Sequence, residues 1–205
     1  MSLRDHLYHE EPGIALYCGD CMKIMPLLDE GRLDLVLTSP PYNLGASLGK
    51  SSRGPRYGHY AETAGMAKRG GHGLWKRPGI ANGYGRHDDA MPHEEYAAWQ
   101  RAALRECWRL LSDVGAIYYN HKPRIVDGEA VLPTTYGDGL PIRQIVTWWR
   151  GSGINFTPVF YVPTYEWVVI FAKPGFRLRD RGASAASDVW HIPPEINTPH
   201  PAPFP

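Results

Sequence analysis

Apolar residues in this chain come in short runs, and each run is closed by glycine, proline or charge. Ile14 to Cys18 predicts a strand, Gly19-Asp20 its turn, and Met22 to Leu28 a short helix. Leu33 to Leu37, broken only by Asp34, predicts a second, buried strand. Periodicity then lapses from Gly45 to about Ala90, a stretch too long for a plain connection and therefore read as a functional insertion. The best helical pattern runs from His93 to Leu111. Pro92 suits its first turn, Glu94 and Glu95 favour its N-terminus, and Gly115 lies beyond its end. Tyr96, Trp99, Ala103, Cys107 and Leu110 form its apolar stripe, with Arg101, Arg105 and Arg109 on another face.

Ala116 to Tyr119, Ile142 to Trp149 and Glu166 to Ala172 predict three more strands. Between the last two, Pro158 and Pro163 make residues 154–164 irregular or hairpin-like. Residues 191–205 are proline-rich and extended. Strand, helix, strand, long loop, helix, strand and a late strand pair together predict an α/β, Rossmann-like sheet.

The 205 residues suit one domain of ordinary size. A net charge of +1 gives no global pull on a polyanion, so any such pull must come from local clusters. Three cysteines, an odd and low count, argue against a secreted disulfide framework and fit a reducing cytoplasm. Cys18 and Cys21 have metal-like spacing, but no second pair accompanies them, and a strand-to-helix turn explains them better. The apolar runs are too short for a membrane span.

Chemistry concentrates in Ser39-Pro40-Pro41-Tyr42, which follows the Leu33–Leu37 run. Two prolines fix φ and lack N–H groups, so they stiffen a turn at the carboxyl end of a strand. Open α/β sheets bind ligands outside that end. A stiff turn carrying a hydroxyl, carbonyls and an aromatic ring suits a flat molecule with an exocyclic amino group. The plainer alternative is a Pro-Pro-Tyr turn or a polyproline ligand for a partner domain.

This tetrapeptide resembles the Ser-Pro-Pro-Tyr motif of DNA amino-methyltransferases, which methylate N4 of cytosine or N6 of adenine. The resemblance extends through Leu16-Tyr17-Cys18-Gly19-Asp20-Cys21, the Asp34–Asn43 run, the helix ending at Arg109-Leu110-Leu111, Tyr165–Lys173 and Asp188–Pro194 with His200–Pro205. It covers nearly the whole chain outside 45–90, and makes 1–205 a partial methyltransferase catalytic domain.

The resemblance implies S-adenosyl-L-methionine as cofactor and double-stranded DNA as partner. Ser39 and the Pro40 carbonyl would accept the hydrogens of the target amino group, Pro41 would hold the turn and Tyr42 would stack on the extruded base. Asp20 would contact the adenosine part of the cofactor; it also reads as a helix N-cap, and the two roles are compatible. His200 and Phe204 fall in the segment that resembles the family's methionine-side contacts; the alternative is a plain proline-rich tail. Serine ahead of Pro-Pro-Tyr leans toward cytosine N4.

Lys50, Arg53, Arg56, Lys68, Arg69, Lys76, Arg77 and Arg86 crowd the glycine-rich insertion, with Tyr57, Tyr60, Trp75 and Tyr84 interleaved. That composition suits a loop meeting phosphates and stacking on bases, or else a solvated loop. Arg177, Arg179 and Arg181 form a second basic run within 174–190, where the resemblance places a short target-recognition segment.

The family's glycine-rich cofactor motif opens a helix after a strand, beyond the proline-rich run, and the sequence stops at Pro205 before any such motif. Gly151-Ser152-Gly153 leads into Ile154–Pro158 instead. The expectation is therefore an incomplete sheet, weak cofactor binding by these residues alone, and completion by a second copy or another chain. A catalytically incomplete DNA-binding module and an RNA or other amine methyltransferase remain alternatives. A hydrolase reading fails because Ser39 precedes two prolines and lacks a glycine-flanked elbow. No carboxylate cluster suggests a nuclease.

Overall fold

The computed structural model describes residues 2–43, 87–88, 91–151, 160–180, 182 and 185–193. The chain divides into two compact units. The first comprises the residues up to Ser39, Ala97–Val146 and Trp167–Asp188; the second comprises the described residues between Pro40 and Tyr96, Thr147–Glu166 and those from Val189 onward. No helix among the described residues is long and apolar enough to cross a membrane.

The first unit opens with a 3-10 turn, Leu3–His6, then β1 (Leu7–Glu11) and β2 (Ile14–Tyr17). These two strands pair antiparallel as a sheet of their own. β1 was not foreseen, because Leu7-Tyr8-His9-Glu10-Glu11 carries too little apolar character. Its presence corrects the expectation that the strand before Gly19 belongs to the main sheet: β2 takes β1 as its partner. Helix α1 (Cys21–Ile24) and a 3-10 turn (Met25–Leu27) follow. Arg109 holds that turn, its guanidinium donating to the Met25 and Leu28 carbonyls at 2.8 and 3.1 Å.

β3 (Leu33–Thr38) pairs parallel with β4 (Leu111–His121), which starts directly after α2 (His93–Leu110). The parallel pairing brings the backbones close at Gly115, where a β-carbon would lie 2.8 Å from the Leu33 carbonyl oxygen. A short hairpin, β5 (Arg124–Val126) with β6 (Glu129–Val131), and a 3-10 turn, Pro133–Gly137, lead to β7 (Ile142–Trp149). β8 (Tyr165–Ala172) runs antiparallel to β4. Within the first unit the strand order is β3-β4-β8-β7. In the second, Thr147–Trp149 of β7 pair parallel with β9 (Val189–His191). β9 takes Val189 and Trp190 from the end of the 174–190 segment.

The core of the first unit sits on β4 and β8. Ala116, Ile117, Tyr119, Val168, Val169, Ile170, Phe171 and Ala172 are buried, and the continuous apolar run of β8 marks a strand covered on both faces. Helix α2 contributes Ala97, Gln100, Leu104, Cys107 and Leu110. The stripe is thus shifted from the expected one: Trp99 and Ala103 are only half-buried. Gln100 enters the core because its amide oxygen accepts the Tyr119 hydroxyl at 3.0 Å. Burying each large side chain of this kind contributes about 1.5–3 kcal/mol.

A further expectation is overturned. β3 is not a buried strand: it is the edge of the described sheet, and Leu35 and Leu37 are 55% and 74% exposed. An apolar run reports extended backbone but not which neighbours cover its faces.

Candidate functional site

Ser39 belongs to the first unit and lies immediately after β3. Register places Thr38 beside Tyr119, so Ser39 falls next to Asn120 at the carboxyl end of the β3–β4 pair. The Asn120 amide Nδ2 donates toward the Ser39 Oγ at 3.4 Å, and the serine is exposed. One residue on, His121 is fully buried. Its ring stacks on Tyr119 at 5.6 Å and tilts against Tyr136 at 5.3 Å. Its Nδ1 lies 2.8 Å from the Lys122 carbonyl. Burial pushes the imidazole down to about 4, so the ring is neutral and donates that Nδ1 proton.

Asp20 caps α1. Its Oδ1 accepts the Met22 N–H at 3.0 Å, as the N-cap reading expected, and the residue is exposed. A carboxylate offers about four acceptor positions, so the cap does not exhaust it.

Pro40, Pro41 and Tyr42 lie in the second unit and are half-buried. The Pro41 carbonyl accepts the hydroxyl of Tyr96 at 2.7 Å. Tyr42 donates its own hydroxyl to Glu166 Oε2 at 3.0 Å. The other oxygen of Glu166 lies 3.3 Å from Arg150 Nη1. Asn43 takes a left-handed conformation, φ 53°, and its amide donates to the Met91 carbonyl at 2.8 Å. The turn after the prolines is therefore held by side chains and not by backbone ladders.

A family model described as DNA methylase matches residues 33–205. The chain belongs to the DNA methylase family. The chain is 24% identical to the type II methyltransferase M.HpaI of Haemophilus parainfluenzae, over 77% of its own length and 38% of that relative's. It is 21% identical to the type II methyltransferase M.MjaVI of Methanocaldococcus jannaschii, over 87% and 80%. Among solved structures it resembles the PvuII DNA methyltransferase (cytosine-N4-specific), with a TM-score of 0.55 and 15% identity, covering 90% of the chain and 59% of the other. That likeness shows the methyltransferase fold, here over part of its sheet. The chain spans about two fifths of the length of M.HpaI.

Of the other expected site residues, Arg177 and Arg179 are exposed. The Arg177 guanidinium is held on its own loop by the Pro174 and Phe176 carbonyls. Lys50, Arg53, Arg56, Lys68, Arg69, Lys76, Arg77, Arg181, His200 and Phe204 lie outside the described residues. Sequence reasoning missed Asn120, Tyr96, Arg150 and Glu166 as partners of the motif. For Glu166 there was a signal: a lone carboxylate heading the apolar run Trp167–Ala172.

Proposed function

We propose that this chain provides the target-base side of a DNA amino-methyltransferase, which moves a methyl group from S-adenosyl-L-methionine to the exocyclic amino group of a flipped base. Cytosine N4 is favoured over adenine N6 because serine precedes Pro-Pro-Tyr. The observation that carries the reading is the exposed Ser39 hydroxyl at the carboxyl end of a parallel strand pair, followed by two prolines and a tyrosine whose tip is fixed.

An exocyclic amino group is a poor nucleophile because its lone pair is delocalised into the ring. Ser39 Oγ and the Pro40 carbonyl would accept its two hydrogens and draw the nitrogen toward tetrahedral geometry. Proline keeps that carbonyl's direction rigid. Tyr42 offers a ring for stacking, an interaction that contributes about 1–3 kcal/mol per base, against an unstacking cost of a few kcal/mol. The cofactor, when bound, supplies the electrophilic methyl sulfonium. Asp20 fits its adenosine end: the carboxylate is exposed at a helix start and keeps acceptor capacity beyond its cap bond. Orientation of the two reactants does the remaining work. DNA phosphates would be met by the basic 45–90 insertion and by Arg177, Arg179 and Arg181. The compartment is the cytoplasm, where a chain with three cysteines stays reduced.

The test is transfer of a radiolabelled methyl group to duplex DNA by the chain carrying an appended glycine-rich segment from a relative, and by Ser39→Ala in that same protein, followed by nucleoside analysis. The expected product is N4-methylcytosine, with the variant slowed about 100-fold or more, the scale seen when an aligned polar group is lost. Equal rates for both proteins would exclude Ser39 from the chemistry. DNA binding without transfer, even after a relative's glycine-rich segment is appended, would favour the binding-module alternative.

A further inference from the structure

Tyr42 is joined to a residue that no motif reading assigned. Its hydroxyl donates at 3.0 Å to Glu166 Oε2, 124 positions away in sequence, and Glu166 is only 7% exposed. Arg150 Nη1 stands 3.3 Å from the second carboxylate oxygen. Arg150 is in turn anchored: its backbone N–H donates to the Thr164 carbonyl at 2.9 Å, and its Nη2 lies 3.5 Å from the Pro163 carbonyl. The series Arg150–Glu166–Tyr42 runs entirely within the second unit.

We infer that Glu166 is a positioning residue, which sets the plane of the Tyr42 ring for stacking on the target base and is itself held in register by Arg150. This rests on the proposed role of Tyr42 as the stacking platform. A tyrosine has two side-chain torsions, and fixing its distal oxygen removes freedom in both. A buried carboxylate needs a cation and donors to be stable; here one oxygen faces the Arg150 guanidinium and the other accepts the Tyr42 hydroxyl. The bond from a neutral phenol to an ionised carboxylate is charge-assisted, stronger than one to a neutral acceptor. Arg150 is the structural half of the arrangement, and Tyr42 is the half that faces the chemistry.

The decisive variant is Glu166→Gln. Glutamine has a single acceptor oxygen, and the Arg150 guanidinium, which only donates, claims it. The amide NH2 then faces the phenol and the original bond is lost while volume is kept. Glu166→Asp is the second variant: it keeps the charge for Arg150 but draws the carboxylate back from Tyr42, and so serves if the glutamine variant does not fold.

Two readouts on the full 205-residue chain separate the ideas. In the free protein, the tyrosine-ring 13C signals are compared, with that of Tyr42 assigned by its loss in Tyr42→Phe. Both Glu166 variants are expected to shift and broaden it. With a short duplex carrying an extrahelical 2-aminopurine, quenching by the chain reports stacking. Tyr42→Ala is expected to abolish it, and the Glu166 variants to weaken binding of the probe about tenfold, with no further loss when Tyr42→Phe is added. An unchanged Tyr42 signal in the Glu166 variants overturns the inference. So does stacking that survives in those variants but fails in Tyr42→Ala. If Tyr42→Ala leaves the quenching intact, the platform reading of Tyr42 fails and the inference falls with it.

Discussion

Tyr96 donates its hydroxyl to the carbonyl of Pro41 across 2.7 Å, and Tyr96 has no exposed surface. The first turn of α2 therefore fixes the second proline of the motif. Tyr96→Phe keeps the ring and removes the bond to the Pro41 carbonyl, which is expected to cost about 1–2 kcal/mol in urea unfolding. The larger effect is expected on base stacking, because the turn loses its tether. A variant with unchanged stability would show that solvent replaces this bond.

His121 makes stability depend on pH. Its folded value of about 4 lies below the ordinary 6.5 because burial disfavours the imidazolium. The unfolded chain therefore binds the proton first as acid is added. The contribution is complete above about pH 6.5, declines as pH falls toward about 4, and levels off below that. Full development is worth about 3 kcal/mol. Urea midpoints measured across this window should fall with acid, and His121→Gln should flatten the slope. A wild-type curve that is flat there would contradict the neutral-ring assignment.

Gly137 packs under an aromatic ring. A β-carbon on it would lie within 2.8 Å of Phe171 Cζ, and Phe171 is fully buried. Gly137→Ala must push the ring off β8 and is expected to cost about 1–3 kcal/mol. Thermal unfolding checks this, and Gly137→Ala with Phe171→Leu should recover part of the loss.

The basic insertion carries the prediction for DNA. Replacing Arg53, Arg56, Lys68 and Arg69 by glutamine should weaken duplex binding. It should also lower the slope of log affinity against log salt by about 0.9 for each phosphate contact removed. Titrations at several salt concentrations measure it. An unchanged slope would take these residues out of the DNA interface.

Local pattern was enough for some elements and not for others. Pro92, Glu94 and Glu95 announced α2, and the Ile142–Trp149 run announced β7 with the boundaries observed. β9, three residues long, carried no period to detect. The Leu33–Leu37 run was rightly a strand and wrongly a buried one, since burial depends on what lies across each face.

The sequence by itself determined the chemistry of the motif: a hydroxyl, two rigid prolines and an aromatic ring in consecutive positions after an apolar strand. Those properties are covalent and local, and survive any arrangement of the rest. Only the tertiary structure decided the partners. That Asn120 reaches Ser39, that Tyr96 holds Pro41 and that Glu166 holds Tyr42 depends on strand register and on segments brought together from as far as 124 residues away. Such contacts arise from packing the whole chain, and no window of sequence contains both ends of them.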